Sequence, residues 1–226
     1  MSDIREASLE HDEQDDSGLP GGAFGQLVPF LILISGALWL FLNWDSIPQR
    51  VPMHWNARGQ VDSYVAKDPL RVGMPLIIAG CVCLLLYFMA RMIRDSAPRG
   101  AVRRPSLRLM LISEIFIAGI CCVVELIAAS NGRLFIPGII FIVVLTVVLL
   151  GIVIGTYAGL PKTVPRNPAG YHHGLYYSDR EDPALFVPKS TGLGYTINFG
   201  HPAGKPLMLA ILILPLAAGL AAMLLR

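Results

Sequence analysis

Two carboxylic acids stand inside one apolar run of this sequence, and a histidine and an aspartate flank a turn in an earlier loop. Glu114 and Glu125 are eleven residues apart, which on a helix is three turns with a drift of about 20°, so they share a face. An acidic residue at the centre of a membrane helix costs roughly 2.5 to 3.5 kcal/mol on insertion scales, so both should face a bundle interior or an aqueous cavity. His54 and Asp62 bracket Asn56 to Gly59, a stretch with the composition of a tight turn in which glycine can take positive φ. That turn brings His54 back toward Asp62. With the helix of the two acids running outward, Glu125 lies about one turn below the external surface, near the His54 loop. The chemistry of such a set, His54, Trp55, Asn56, Gly59, Asp62, Glu125 and the deeper Glu114, is that of a ligand or ion site with an acidic lining. The competing reading has Glu125 reaching the interface and Glu114 hydrogen-bonding a neighbouring helix.

Cysteine and histidine offer less. Cys81 and Cys83 in one apolar run and Cys121 and Cys122 in another come level with each other about 10 to 13 Å below the surface if the two helices are antiparallel. A soft-metal or redox site is one reading, while buried cysteine ordinarily acts as a small hydrophobe that lets helices approach. His172, His173 and His201 lie in a later loop, but adjacent histidines on a strand point to opposite faces, and no cysteine or H-x-x-x-H spacing accompanies them. No nucleophile motif, phosphate loop, zinc helix or dinucleotide fingerprint is present, so an enzyme is not supported and the sequence specifies neither metal nor cofactor.

The elements that position these residues follow from composition. Of 226 residues 54% are hydrophobic and only 15% charged, with a mean hydropathy of +0.59, which excludes an ordinary water-soluble enzyme. The reading is an all-α membrane protein of five transmembrane helices, residues 24–44, 74–93, 109–129, 136–157 and 207–225. Pro75 and Pro137 fall in first turns, Pro206 just precedes the last span, and Pro29 and Pro215 should bend the helices that contain them. Twelve of the 18 Lys and Arg residues fall in the N-terminal tail and in loops two and four, which places those segments in the cytoplasm and the C-terminus outside. The net charge of +2 is too small to argue for nucleic acid. Residues 1–23 form an acidic tail expected to be disordered and lacking the positive start of a secretory signal.

Residues 158–206, between helices four and five, read as a small cytoplasmic β-meander. Leu193, Tyr195, Ile197 and Phe199 alternate with Gly194, Thr196, Asn198 and Gly200, and residues 174–178 and 184–189 make two further short strands. So thin a sheet should lean on helix ends or on a partner. Tyr176, Tyr177, Phe186, Tyr195 and Phe199 are the candidate docking residues, at edges suited to strand addition.

The run from Pro48 through Pro52, His54, Trp55, Asn56 and Gly59 to Asp62, set between the first two spans, resembles the signature of a bacterial membrane domain of unknown function. The same domain occurs in SdpI-type toxin-immunity and signalling proteins. The resemblance covers residues 25–95 and implies protection against a secreted peptide and transmembrane signalling. Tyr171 to Tyr177, with Asp182-Pro183 and Gly194 to Gly200, is similar to a second short uncharacterised domain that accompanies the first. Five segments result: the tail, residues 24–95 with the outward loop, 96–157, 158–206 and 207–226. The leading expectation is an immunity-like or sensor protein of the bacterial inner membrane, with an external peptide ligand, a cytoplasmic protein partner and the bilayer itself as partners. The alternatives are a small transporter or metal-dependent membrane enzyme using the acids of the third helix, and an accessory subunit of a membrane complex.

Overall fold

The computed structural model describes residues 18–56, 58–97, 102–159, 168–172, 176–189 and 194–213. Among the described residues four helices are long and apolar enough to cross a membrane: α1 (Gly22–Leu42), α2 (Pro69–Ser96), α3 (Arg103–Ala129) and α4 (Phe135–Gly159). The chain is a multi-pass membrane protein. Helices are the form these runs take because hydrocarbon offers the backbone no other hydrogen-bond partner.

Their ends are set locally. Asp68 caps α2, its Oδ1 accepting the backbone N–H groups of Leu70 and Arg71 at 3.0 Å each, so the helix begins five residues before the apolar run does. Pro75 is consequently inside α2 and not in its first turn as the sequence suggested. Pro29 is inside α1 as expected. Asn131 and Gly132, both at positive φ, turn the chain between α3 and α4, and the Gly132 N–H closes the end of α3 on the carbonyl of Ile127.

Of the fifth expected span, the described residues are helical over Gly204–Ile213, here α5. The rest of that expected span, with Pro215, lies outside the described residues, as do most of the acidic tail and His173. Pro206 sits within the first turn of α5, where its missing N–H is harmless.

The chain divides into two compact units. The hairpin-end unit takes residues 27–86 and 112–152 and holds the β1 (Arg50–Trp55) and β2 (Val61–Ala66) hairpin. Its core joins Leu33 and Leu40 of α1, Val72, Leu76, Ala79 and Cys83 of α2, and Ala118 and Ala128 of α3, with Ile47 and Val51 of the loop and hairpin beside them.

The loop-end unit takes residues 87–111 and 153–215 among others. Here the meander is corrected to two hairpins, β3 (Tyr171–His172) with β4 (Tyr176–Tyr177), and β5 (Phe186–Pro188) with β6 (Tyr195–Ile197). The strands β4 and β5 do not pair, because residues 179–185 are fixed by side-chain bonds and do not form a hairpin turn; β4 instead meets β6 through a parallel bridge between Tyr177 and Asn198. Leu185, Phe186 and Ile197 pack on Ala90, Ile93 and Leu107 of α2 and α3.

Candidate functional site

The β1–β2 hairpin owes its turn to Asn56 and Gly59. The Asn56 Oδ1 accepts the N–H groups of Arg58 at 2.9 Å and Gln60 at 3.0 Å, and the Gly59 N–H donates to the Asn56 carbonyl at 2.8 Å. Gly59 stands at φ +75°, which favours glycine, and a Cβ there would sit tightly, 3.2 Å from the Phe135 ring. The turn brings His54 Nδ1 to 2.5 Å from Asp62 Oδ1. Both side chains are open to solvent, 67% and 44%, so the pair orients the imidazole without adding much stability.

The register is regular from Arg50 opposite Ala66 to Pro52 opposite Tyr64, then shifts, so that His54 faces Ser63 and Trp55 faces Val61. The irregularity leaves Met53 on β1 and Asp62 on β2 without direct partners, and the pairing of Trp55 with Val61 restores the register. On a regular strand neighbouring side chains point to opposite faces; such an irregularity breaks that alternation and re-aims them. Met53, His54, Trp55 and Asn56 can therefore line one cleft of about 320 Å³, whose other wall is Val124, Ile127, Phe135, Ile139 and Ile142 from α3 and α4. Trp55 stacks on Phe135, with ring centroids 5.5 Å apart and planes at 28°. Such stacking is worth about 0.5 to 1.5 kcal/mol beyond the area it buries and ties the hairpin to the start of α4. The cleft is apolar in its walls and polar where His54 and Asn56 meet it, the arrangement that takes an apolar group and fixes its orientation. A second apolar groove, of about 440 Å³, runs between α1 and α2 past Leu40, Trp44, Gly73 and Ile77. Lys67 Nζ lies 5.2 Å from the Trp44 ring centroid near it.

Of the residues expected to bind a ligand, His54, Trp55 and Asn56 line the cleft, Asp62 holds His54, and Gly59 packs on Phe135, itself a lining residue. Glu125 and Glu114 are elsewhere. Val124 and Ile127 turn to the cleft, whereas Glu125 lies about 100° around the helix from Val124, on the stripe that enters the core. Glu114 is 0% exposed and neither of its carboxyl oxygens has a hydrogen-bond partner among the described residues; Glu125 is 3% exposed and its Oε1 is likewise unpartnered.

The thiols beside them turn to backbone. Cys83 donates to the Glu114 carbonyl at 3.6 Å and Cys122 to the Ile32 carbonyl at 3.4 Å. A Cβ at Gly36 of α1 would stand 2.7 Å from Cys122 Sγ, which marks a close helix approach. Among the described residues no group of three or more His, Cys, Asp or Glu side chains could hold a metal ion.

In the loop-end unit Asn198 is the organising residue. Its Nδ2 lies within 2.8 to 3.2 Å of the carbonyls of Asp179, Asp182 and Ala184, and its Oδ1 accepts the N–H groups of Asp179 and Gly200 at 2.9 Å each. The period-two pattern puts Asn198 on the polar side of a strand, whereas it is fully buried. Tyr177 donates to Asp182 Oδ2 at 3.0 Å, and burial together with that carboxylate pushes its hydroxyl well above the usual tyrosine range. Of the candidate docking residues, Tyr177 and Phe186 are thus interior, and Tyr195 and Phe199 are partly buried. Tyr176 is 43% exposed and is flanked by His172, stacked at 5.0 Å, and by Phe199, edge-on at 5.9 Å.

The apolar wall, above all Phe135, escaped the sequence reading, since aliphatic residues in a span carry no chemical signal. Phe135 opens α4 two residues before Pro137, and an aromatic residue at a span boundary facing a loop tryptophan is the signal that was there to find.

The fold defines a multi-pass membrane protein with a structured hairpin between its first two membrane helices and a small β-rich loop after its fourth. Two domains are recognisable within it: residues 30–79 match a domain of unknown function, DUF1648, and residues 180–205 match a family of unknown function, DUF5808. The first spans most of α1, the whole hairpin and the start of α2; the second spans β5, β6 and Asn198. No curated protein and no solved structure matches the chain.

Proposed function

We propose that this protein is a membrane-embedded receptor of the immunity or signalling kind, in which the β1–β2 hairpin and the cleft beneath it engage an external ligand, a peptide with an apolar anchor. The observation that carries the reading is the cleft: four consecutive hairpin residues, re-aimed by the irregularity, close over an apolar wall on α3 and α4. The volume of about 320 Å³ suits a single large side chain and not a whole folded partner. The resemblance of the hairpin segment to SdpI-type proteins supports the peptide. In this reading the hairpin faces outward from a bacterial inner membrane and the N-terminus is cytoplasmic, which is the orientation the Lys and Arg distribution favours. The exposed Tyr176 with His172 and Phe199 is then the surface that docks a cytoplasmic protein.

A strain deleted for the protein, challenged with peptides secreted by neighbouring cells, is expected to lose protection or to change its gene expression. Restoration by the wild-type chain and not by Trp55→Ala is the expected pattern. Unchanged sensitivity and unchanged expression in the deletion would remove the reading.

A further inference from the structure

The hairpin-end unit contains two buried charged side chains among its described residues, and the ligand cleft uses neither. Glu114 is wholly enclosed with both carboxyl oxygens unpartnered, and Glu125 repeats the condition three turns along the same stripe with one oxygen unpartnered. Ala118, Cys121 and Ala128 complete that stripe, and it packs into the core that Leu33 and Leu40 of α1 and Leu76, Ala79 and Cys83 of α2 build with α3. Two acids placed so, without bonds, are not explained as structural glue, because buried polar groups that stabilise a fold are hydrogen-bonded. An uncompensated carboxylate in such a core is strongly disfavoured, so a positive charge must be supplied.

The surroundings decide which. The titratable groups that face the acids are Cys83 from α2 and Cys121 and Cys122 from α3 itself, while α1 and the hairpin bring Leu33, Leu40 and Val51. Neither described salt bridge involves either acid. A metal or alkali cation needs several ligands around one point, and no such group exists among the described residues. Glu114 and Glu125 are themselves about 16 Å apart along the helix, too far to share an ion. A proton needs one oxygen.

We propose that Glu114 and Glu125 are proton-binding sites, each carboxyl holding a dissociable proton inside the α1–α2–α3 core. On release the carboxyl O–H bond breaks, the proton passes to water and the carboxylate remains; on binding, the proton returns. The proposal is independent of the hairpin reading, since a protein that binds no external ligand would still carry both acids.

Infrared spectroscopy of the full chain in lipid nanodiscs at neutral pH, with carboxyl-labelled glutamate and in light and heavy water, tests it. The wild type is expected to show a protonated glutamic-acid carbonyl band that shifts in heavy water. About half of that band should be lost in Glu114→Gln, about half in Glu125→Gln, and all of it in the double variant. The wild-type spectrum alone overturns the proposal if it lacks the band, which would mean that both acids are ionised, or if the band does not respond to heavy water. Survival of the band in the double variant overturns it as well.

Discussion

Asn198 in the loop-end unit and Glu114 in the hairpin-end unit are both 0% exposed, yet their polar atoms are treated in opposite ways. Asn198 has five polar neighbours at hydrogen-bonding distance, and through them fixes residues 179–184 and the start of the turn into α5. Glu114 spends neither carboxyl oxygen on the fold. A buried polar group that is fully satisfied specifies a structure; one left unsatisfied weakens it and is better explained by what it binds. The same contrast separates the matched domains. The segment matched by DUF5808 is held by its own side-chain bonds, whereas the segment matched by DUF1648 presents His54, Trp55 and Asn56 at the mouth of a cleft.

Near-isosteric exchanges sharpen that contrast. Asn198→Asp replaces the donating amide by a carboxylate facing three carbonyls, and should destabilise the loop-end unit by about 3 to 5 kcal/mol. Faster hydrogen exchange of the β5 and β6 amides would register it, and unchanged protection would remove Asn198 as the organising residue. Tyr177→Phe should cost about 1 to 2 kcal/mol through the lost bond to Asp182. It should also remove an alkaline sensitivity. Because the folded state holds the Tyr177 proton more tightly than the unfolded chain does, its contribution is intact below about pH 10 and declines as pH rises beyond that. Unfolding followed by tyrosine absorbance at rising pH reads both effects.

Glu114→Gln should shift thermal stability by no more than about 1 kcal/mol, since no hydrogen bond of the carboxyl group is lost. A large destabilisation would instead reveal a structural role. His54→Ala should be the mildest for stability, under about 1 kcal/mol for an exposed pair, while reducing occupancy of the cleft in a binding assay. A loss of stability comparable with that of Asn198→Asp would make the hairpin pair a structural element and not a recognition one.

What the sequence disclosed was local or carried by long runs. Four spans were legible because about twenty consecutive apolar residues admit one structure in hydrocarbon. The meeting of His54 and Asp62 was legible because Asn56 and Gly59 encode their turn within a few residues. The start of α2 was displaced because the apolar run begins after the capping residue, Asp68. The irregularity at Met53 and Asp62 was not legible, since a register shift depends on the partner strand. Asn198 was misplaced for a related reason: alternation along β6 shows which residues are polar, but whether the polar side meets solvent depends on the segment folded against it. The separation of Glu125 from the cleft follows from which face of α3 receives α4, a tertiary choice that helical periodicity leaves open.

The central claim, that the cleft beneath the hairpin holds a ligand, is tested most directly by native mass spectrometry of the gently solubilised protein beside Ile139→Trp, which fills the cleft from the α4 wall. The account predicts a bound polypeptide of defined mass on the wild type and none on the variant. Equal occupancy of the two, or a wild type that carries no polypeptide, would contradict it.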